Sequence, residues 1–337
     1  MLVTSRANAA ATLTAAGLGI ASLLLVCLGL AAGSEGVSFD WQADWDLITA
    51  IRAPRTLGAF MAGALLGLAG AIAQGLFRNP LADPYLLGSA AGAGLGVVLV
   101  ISAGSLAGVS LGLGNVLVWQ QMSLVSAAFI GALVGVGLTL LLAGGTGRPL
   151  VLLLGGVVVG VLLAAASDLL MLLSPEALRG RQAFLLGTTG FLGWQACAIL
   201  VVALALMLPI ATRLARVLDA LVLGEYSALS LGLNLTRLRL VLVAIMALCT
   251  GAAVAQAGLI AFVGLVAPHL VRRMVTVTHA PLLALAALAG GLLLLAADVA
   301  ARTLVSPLEL PVGVLTAVTG GIYLMVLLRR QAVQTHG

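Results

Sequence analysis

The sequence predicts an all-α integral membrane protein with about ten transmembrane helices. Of its 337 residues, 62% are hydrophobic and only 8% are charged, whereas a soluble globular domain carries about 25% charged residues. Apolar blocks of about 20 residues recur along almost the whole chain, and this is the length that a helix needs to cross a bilayer core of about 30 Å. We therefore expect residues 1–337 to form a single transmembrane domain.

The apolar blocks place the expected helices in chain order. They lie at about 9–33, 53–77, 85–104, 120–143, 150–173, 192–211, 239–256, 258–271, 281–301 and 310–328. The first block is longer than the roughly 7–15-residue core of a signal peptide, so we expect a retained helix. Residues 240–271 would make one helix of about 48 Å, which is too long for one crossing. We expect two short helices there, broken near Gly258.

The arginines predict the topology. All 16 basic residues are arginine, since the chain contains no lysine. With the N-terminus in the cytoplasm, ten spans place 11 of the 16 arginines on the inner side, as the positive-inside rule requires. A single span at 240–271 would leave 7 inside and 9 outside. The charge pattern therefore favours ten spans with both termini cytoplasmic, and it indicates membrane topology rather than nucleic-acid binding.

The residue types that carry covalent chemistry do not assemble into a site. Without lysine the chain cannot form a Walker A phosphate loop or a Schiff base. Cys27, Cys197 and Cys249 lie inside apolar stretches with no metal-ligand spacing. His269 and His279 flank the inner end of the eighth expected helix, and they form no cluster with zinc-ligand spacing. We expect no catalytic residue, no metal site and no cofactor bound by this chain, which disfavours a membrane-embedded enzyme.

Two acidic residues fall within the expected spans, and both lie near the outer end. Asp298 stands four residues before Arg302 on one helix face, so a local ion pair is favoured over a proton relay. Asp168 is the other. Ion-coupled carriers usually bury an ionisable residue near mid-membrane. A secondary, ion-coupled transporter is therefore the alternative of another class, and the chain lacks its usual feature.

The polar connections and the glycines carry further information. The inner loop at 211–239 is the longest cytoplasmic connection, and its segment 223–232 mixes apolar and polar residues as a short helix lying along the membrane does. Gln74 is a polar side chain inside an apolar helix, and Asn79-Pro80 breaks the chain just after it. Glycines repeat at four-residue spacing, for example Gly63 and Gly67. Such faces allow helices to approach closely, and we expect them to pack mainly within one subunit.

Several long motifs occur together in one order. They are Arg-x-Pro-Arg-Thr at 52–56, the run Gly63–Gly70, Gln74, Arg-Asn-Pro-Leu-Ala-Asp-Pro at 78–84, Gly88, the segment from Gly258 to Pro268-His269 with Arg272, Asp298 to Arg302, and Pro-x-Glu-Leu-Pro at 307–311. In these motifs, from about residue 50 to 328, the chain resembles the FecCD family. Members of that family are permease subunits of ATP-binding cassette importers for haem, ferric siderophores and cobalamin in the cell inner membrane.

The resemblance implies an assembly and assigns roles within it. The permease would form a homodimer around a central pathway, with two ATPase subunits that bind ATP and Mg below it and a periplasmic substrate-binding protein above it. The outer arginines would dock the binding protein: Arg52, Arg55 and Arg302. The coupling element that contacts the ATPase would contain Leu223, Gly224, Glu225, Ala228, Leu231 and Gly232. Candidate pathway or gate residues are Gln74, Asn79, Pro80, Pro268 and His269.

The resemblance also bears on the substrate. The stretch at 74–80 is slightly more similar to haem and cobalamin permeases than to siderophore permeases. We therefore expect an iron-containing chelate, with haem favoured and a ferric siderophore or cobalamin as alternatives. No residue of the chain identifies a ligand-binding atom, and the partner binding protein is expected to set specificity.

Overall fold

A computed structural model describes residues 2–33, 36–106, 116–230 and 234–335, and these are almost entirely helical. The helices are α1 Leu2–Ala31, α2 Trp45–Leu47, α3 Ala53–Phe77, α4 Ser89–Leu106, α5 Val116–Leu142, α6 Pro149–Leu173, α7 Pro175–Leu186, α8 Trp194–Val222, α9 Glu225–Ser230, α10 Leu235–Ala257, α11 Val263–Met274, α12 His279–Thr303 and α13 Val312–Thr335. A π-helical turn, Ile48–Arg52, joins α2 to α3, and a 3₁₀ turn, Pro84–Leu87, precedes α4. The two-residue strands β1 Ala32–Gly33 and β2 Gly36–Val37 pair antiparallel.

Eight helices within the described ranges are long and apolar enough to cross a membrane. They comprise α1, the continuous stretch Trp45–Phe77, α5, α6, α8, α10, α12 and α13. The apolar part of α4, Ser89–Gly104, and the 12 residues of α11 are shorter than a full crossing. Each of the ten expected blocks contains a helix, and the chain is a multi-pass membrane protein, but helix length by itself supports eight of the ten spans.

The second half of α8 corrects the expected inner loop. The helix was expected to end near residue 211, yet it continues to Val222. Ala211, Ala215 and Leu218 in this extension are buried, and their spacing of four and three residues places them on one helix face. Their packing against the core keeps the extension helical. The connection between α8 and α10 is therefore shorter than 211–239 suggests.

Helix α7 was not predicted from the sequence. Its residues are too polar for a membrane span, and helices were expected mainly in apolar blocks. The side chain of Ser174 accepts a hydrogen bond from the Ala177 amide, and Glu176 lies in the first turn. These are the features that stabilise the N-terminus of a helix.

The break near Gly258 is confirmed. α10 ends at Ala257, and α11 begins five residues after Gly258, at Val263. Gly258 has φ +70°, and a Cβ there would lie 2.7 Å from the carbonyl oxygen of Phe184. Glycine alone meets both conditions without strain. The chain can therefore turn back on itself within the bundle.

Helix α3 lies at the centre, with 20 of its 25 residues buried. A Cβ added to Gly63 would lie 2.3 Å from the carbonyl oxygen of Gly290 in α12, and one added to Gly70 would lie 1.7 Å from that of Gly264 in α11. Lipid provides no hydrophobic driving force between helices, so the van der Waals contacts of such closely packed backbones stabilise their association instead. The glycine faces thus pack within the subunit, as expected. Gly160 in α6 is an exception, with open space where its Cβ would stand.

Candidate functional site

The start of α3 and the end of α12, which the topology prediction places on the outer side, meet in a buried ion network. Arg55 donates from Nε to Oδ1 of Asp298 at 3.0 Å and from Nη1 to Glu309 at 2.8 Å. Asp298 is fully buried, also pairs with Arg302, and accepts a hydrogen bond from Thr189 at 2.5 Å. A carboxylate without solvent needs such compensation, because an unpaired buried charge is costly. The network therefore ties together two helices and two connecting loops.

Both terminal nitrogens of the Arg302 guanidinium donate hydrogen bonds to acceptors within the chain. Its Nη1 donates to the carbonyl oxygens of Gly29 at 3.0 Å and Ala32 at 3.2 Å, and its Nη2 donates to Thr56 and Asp298. The residue is 1% exposed. The predicted ion pair with Asp298 is thus present. Docking of a partner by Arg302 stays a prediction, and within the chain its donors hold the end of α1 against α12.

Arg52 and Arg55 keep more access to the surface. Arg52 pairs with Asp44 at 3.0 Å and donates to the carbonyl oxygens of Leu30 and Ala31. Arg52, Arg55, Asp44 and Glu309 line a cavity of about 440 Å³ that Arg302 also borders. The structure therefore brings all three outer arginines to one place, and each is already paired with a carboxylate of the chain.

The expected gate residues separate into buried and exposed members. Gln74 is 2% exposed, and its Nε2 donates to the carbonyl oxygen of Leu265 at 3.0 Å. Pro268 is buried within α11. Both pack between α3 and α11 within the chain, and their role as pathway or gate residues stays a prediction. Asn79 and Pro80 are exposed.

His269 stands in α11 beside Tyr323 of α13. Their rings meet edge to face with centroids 5.8 Å apart. This arrangement suits two aromatic rings, because the positive edge of one faces the negative face of the other. His269 thus links the short helix α11 to the last helix of the bundle.

The loop between α3 and α4 is anchored to the α10–α11 break. The Asp83 carboxylate accepts a hydrogen bond from the Tyr85 amide at 2.8 Å, and the Tyr85 hydroxyl donates to the carbonyl oxygen of Ile260 at 3.1 Å. Burial raises the pKa of the Asp83 carboxyl to about 6, while the Tyr85 amide opposes the shift. Sequence reasoning missed Tyr85; its place directly after Asp83-Pro84, in a polar break, was the available signal.

The expected coupling element contains a short helix, α9, as its pattern predicted. Gly224 has φ +103°, and Leu223 beside it is 70% exposed. Glu225 pairs with the nearly buried Arg239 at 2.5 Å, and Ala228 is buried. These contacts hold α9 against the start of α10. Leu231 and Gly232 lie outside the described residues.

No group of three or more His, Cys, Asp or Glu side chains able to hold a metal ion occurs in the described part of the chain. Asp168, the other acidic residue expected within a span, pairs with Arg181 of α7. The carboxylates discussed above are thus committed to arginines or to backbone amides.

Comparisons with known proteins agree on one family. The model of the FecCD transport family matches residues 10–330. The chain is 40% identical to the hemin transport system permease protein HmuU of Yersinia pestis, over 95% of this chain and 97% of that protein. It is 37% identical to the vitamin B12 import system permease protein BtuC of Salmonella paratyphi A, over 92% of each. It is also 37% identical to the Fe(3+) dicitrate permease FecD of Escherichia coli, over 86% of this chain and 88% of that protein.

A solved structure shares the fold. It is described as an inward-facing conformation of a putative metal-chelate type ABC transporter, with a TM-score of 0.83 and 28% sequence identity over 93% of this chain and 98% of that one. The match to the family model extends over nearly the whole helical bundle. The chain therefore belongs to the FecCD transport family, the permeases of ATP-binding cassette importers.

Proposed function

We propose that this chain is the permease subunit that carries an iron-containing chelate, haem in the first place, across the cell inner membrane. The observation that carries the proposal is the 40% identity to a hemin permease over almost the full length of both chains. The vitamin B12 and ferric dicitrate permeases at 37% identity define the alternatives. Ten spans with both termini cytoplasmic fit the charge pattern of the arginines.

The assembly that we propose has two copies of the chain around a central pathway. The open small-residue surface at Gly160 of α6 supports this, because its Cβ position meets no neighbour within the chain and small residues are typical of helix interfaces in membranes. Two ATPase subunits would bind ATP and Mg on the cytoplasmic side. The absence of lysine, and hence of a Walker A motif, is the reason to assign hydrolysis to those subunits.

The proposed coupling element comprises the segment 223–232, with α9 at its centre. The exposed Leu223 and the half-exposed Glu225 would contact the ATPase, while the buried partner Arg239 ties that contact to α10. Movement of the ATPase would thereby reach a helix of the bundle. Our candidates for the pathway or the inner gate are Gln74, Asn79, Pro80, Pro268 and His269.

Arg52, Arg55 and Arg302, which border one cavity, are the proposed docking residues for a periplasmic binding protein. The Glu309 carboxylate, whose side chain is 35% exposed, pairs with Nη1 of the Arg55 guanidinium. An acidic residue of the partner could replace Glu309 with little change in charge. Docking would depend on several such charged contacts and would weaken with salt.

A secondary, ion-coupled transporter has less support. Such a protein needs a buried carboxylate that is free to bind and release its ion. The fully buried carboxylate of Asp298 already pairs with two arginines, and it accepts a hydrogen bond from Thr189. Its arrangement fits a structural role.

The test is transport by the reconstituted system. The permease would be placed in proteoliposomes with its partner ATPase and binding protein, and ATP-driven uptake of haem, cobalamin and ferric dicitrate would be compared. We expect uptake of haem and no ATP hydrolysis by the permease alone. Uptake of cobalamin or ferric dicitrate in place of haem would overturn the substrate assignment, and uptake that needs an ion gradient but no ATP would overturn the importer mechanism.

A further inference from the structure

Helices α3 and α12 are held together by their backbones and by an ion pair, and we call them the α3–α12 pair. In the middle of the pair, a Cβ added to Gly67 would lie 2.1 Å from the carbonyl oxygen of Ala286. At the predicted outer end, Arg55 of α3 binds Asp298 of α12. Close-packed protein transmits a displacement rather than absorbing it. We therefore expect the two helices to move as one body.

The α3–α12 pair reaches the predicted inner side at His279, the first residue of α12. His279 is buried, and a Cβ added to Gly75 of α3 would lie 3.1 Å from its Nε2. Thr278, which stands at the N-cap position of α12, makes no side-chain hydrogen bond to the helix. The first amides of a helix have no partner within it, so the start of α12 needs an acceptor from another segment.

Asp219 of α8 is that acceptor. Its Oδ1 accepts a hydrogen bond from the backbone amide of His279 at 3.0 Å and lies 2.7 Å from Nδ1 of the ring. A carboxylate oxygen only accepts, so Nδ1 carries the proton and donates it. A negative charge at a helix N-terminus is also favoured by the helix dipole. One carboxylate oxygen thereby fixes both the backbone and the ring of His279 to α8.

Asp219 lies next to the proposed coupling element. Helix α8 ends three residues later, at Val222, and the segment 223–232 follows directly. Leu221, between them, is buried. Because this stretch is helical and packed, Asp219 cannot stay in place when residue 223 is displaced. The contact of Asp219 with His279 therefore connects the coupling element to α12, whereas the ion pair of α9 described above leads to α10.

We propose that Asp219 is a positioning residue through which docking of the binding protein acts on the ATPase. Docking at the outer ion network displaces the α3–α12 pair, and the contact of Asp219 with His279 passes that displacement to 223–232. The 25 residues of α12 extend over about 37 Å, so its two ends lie near the two proposed partners. The inference rests on the proposed function, because it names the route by which one partner regulates the other.

The experiment measures ATP hydrolysis in proteoliposomes that contain the permease and its partner ATPase, while the binding protein is titrated. The titration gives the maximal stimulation, as a ratio of rates with and without binding protein, and the concentration for half of it. Asp219→Ala should lower the maximal stimulation at least about fivefold, the low end of the usual coupling between two sites. The half-saturating concentration should stay unchanged, because the outer arginines are intact.

Two further variants separate this role from a structural one. Asp219→Asn keeps an acceptor oxygen for His279, so its stimulation should exceed that of Asp219→Ala. The matched control is Thr212→Ala, also in α8, because the Thr212 hydroxyl donates within the helix, to the carbonyl oxygen of Pro209 at 3.0 Å. Its stimulation should equal that of the unmodified chain.

Full stimulation in Asp219→Ala would overturn the inference. A loss that Thr212→Ala or Asp219→Asn shares in full would also overturn it, as would a loss that saturation with binding protein restores. An unmodified chain whose ATPase does not respond to the binding protein would contradict the proposed function itself, and the inference with it.

Discussion

Replacing Asp298 by asparagine should destabilise the protein strongly. The carboxylate is fully buried and neutralises both Arg55 and Arg302. Asparagine keeps nearly the same shape, so the change removes one charge without opening a cavity. It leaves two guanidinium groups with Glu309 as the remaining carboxylate in the network.

The magnitude follows from the burial of the pair. Removing one partner of a buried ion pair costs about 3–5 kcal/mol, because the other charge stays without compensation. The matched control is Asp168→Asn, because the Asp168 side chain is 62% exposed and pairs with Arg181 alone. An exposed pair contributes about 0–1 kcal/mol. The two variants should therefore differ by at least about 2 kcal/mol.

The assay is unfolding of the purified chain in mixed micelles with increasing SDS, followed by circular dichroism. The double variant Asp298→Asn/Arg302→Gln should recover part of the stability, since it removes one of the unpaired cations. If Asp298→Asn and Asp168→Asn unfold at the same SDS fraction, the ion network contributes no stability and the interpretation of Arg302 as a structural residue is wrong.

Three further predictions test other contacts. Gly70→Ala should lower the free energy of unfolding by about 1–3 kcal/mol, because its Cβ would lie 1.7 Å from the Gly264 carbonyl oxygen. The control Gly104→Ala, with nothing within 4 Å of its Cβ, should leave it unchanged, and the same SDS titration measures both. Glu225→Gln should lower uptake per ATP hydrolysed in proteoliposomes, and unchanged coupling would exclude α9 as the contact. For Asp83, the folded pKa of about 6 exceeds the unfolded value of about 3.9, so its contribution to stability is complete below pH of about 4 and disappears as the pH rises through about 6. Asp83→Asn should remove this pH dependence, as thermal unfolding between these pH values would show.

The membrane class and the positions of the apolar helices could largely be predicted from the sequence, because both follow from local properties. A bilayer selects blocks of apolar residues of one length, and the break at Gly258 follows from the excess length of 240–271. The pairing of Asp298 with Arg302 was also accessible, since residues four apart share a helix face. Family membership could be inferred from motifs in one order, and the comparisons confirm it.

Contacts between distant segments could not be predicted in this way. Arg55 binds Asp298 and Glu309 across 243 and 254 residues of chain, and no local pattern encodes such a pair. The extension of α8 and the presence of α7 depend on surfaces that other helices provide. The sequence by itself determined that the chain is a membrane protein and where its apolar segments lie. The tertiary structure decided which polar groups meet, because helix packing brings together residues that the chain keeps far apart.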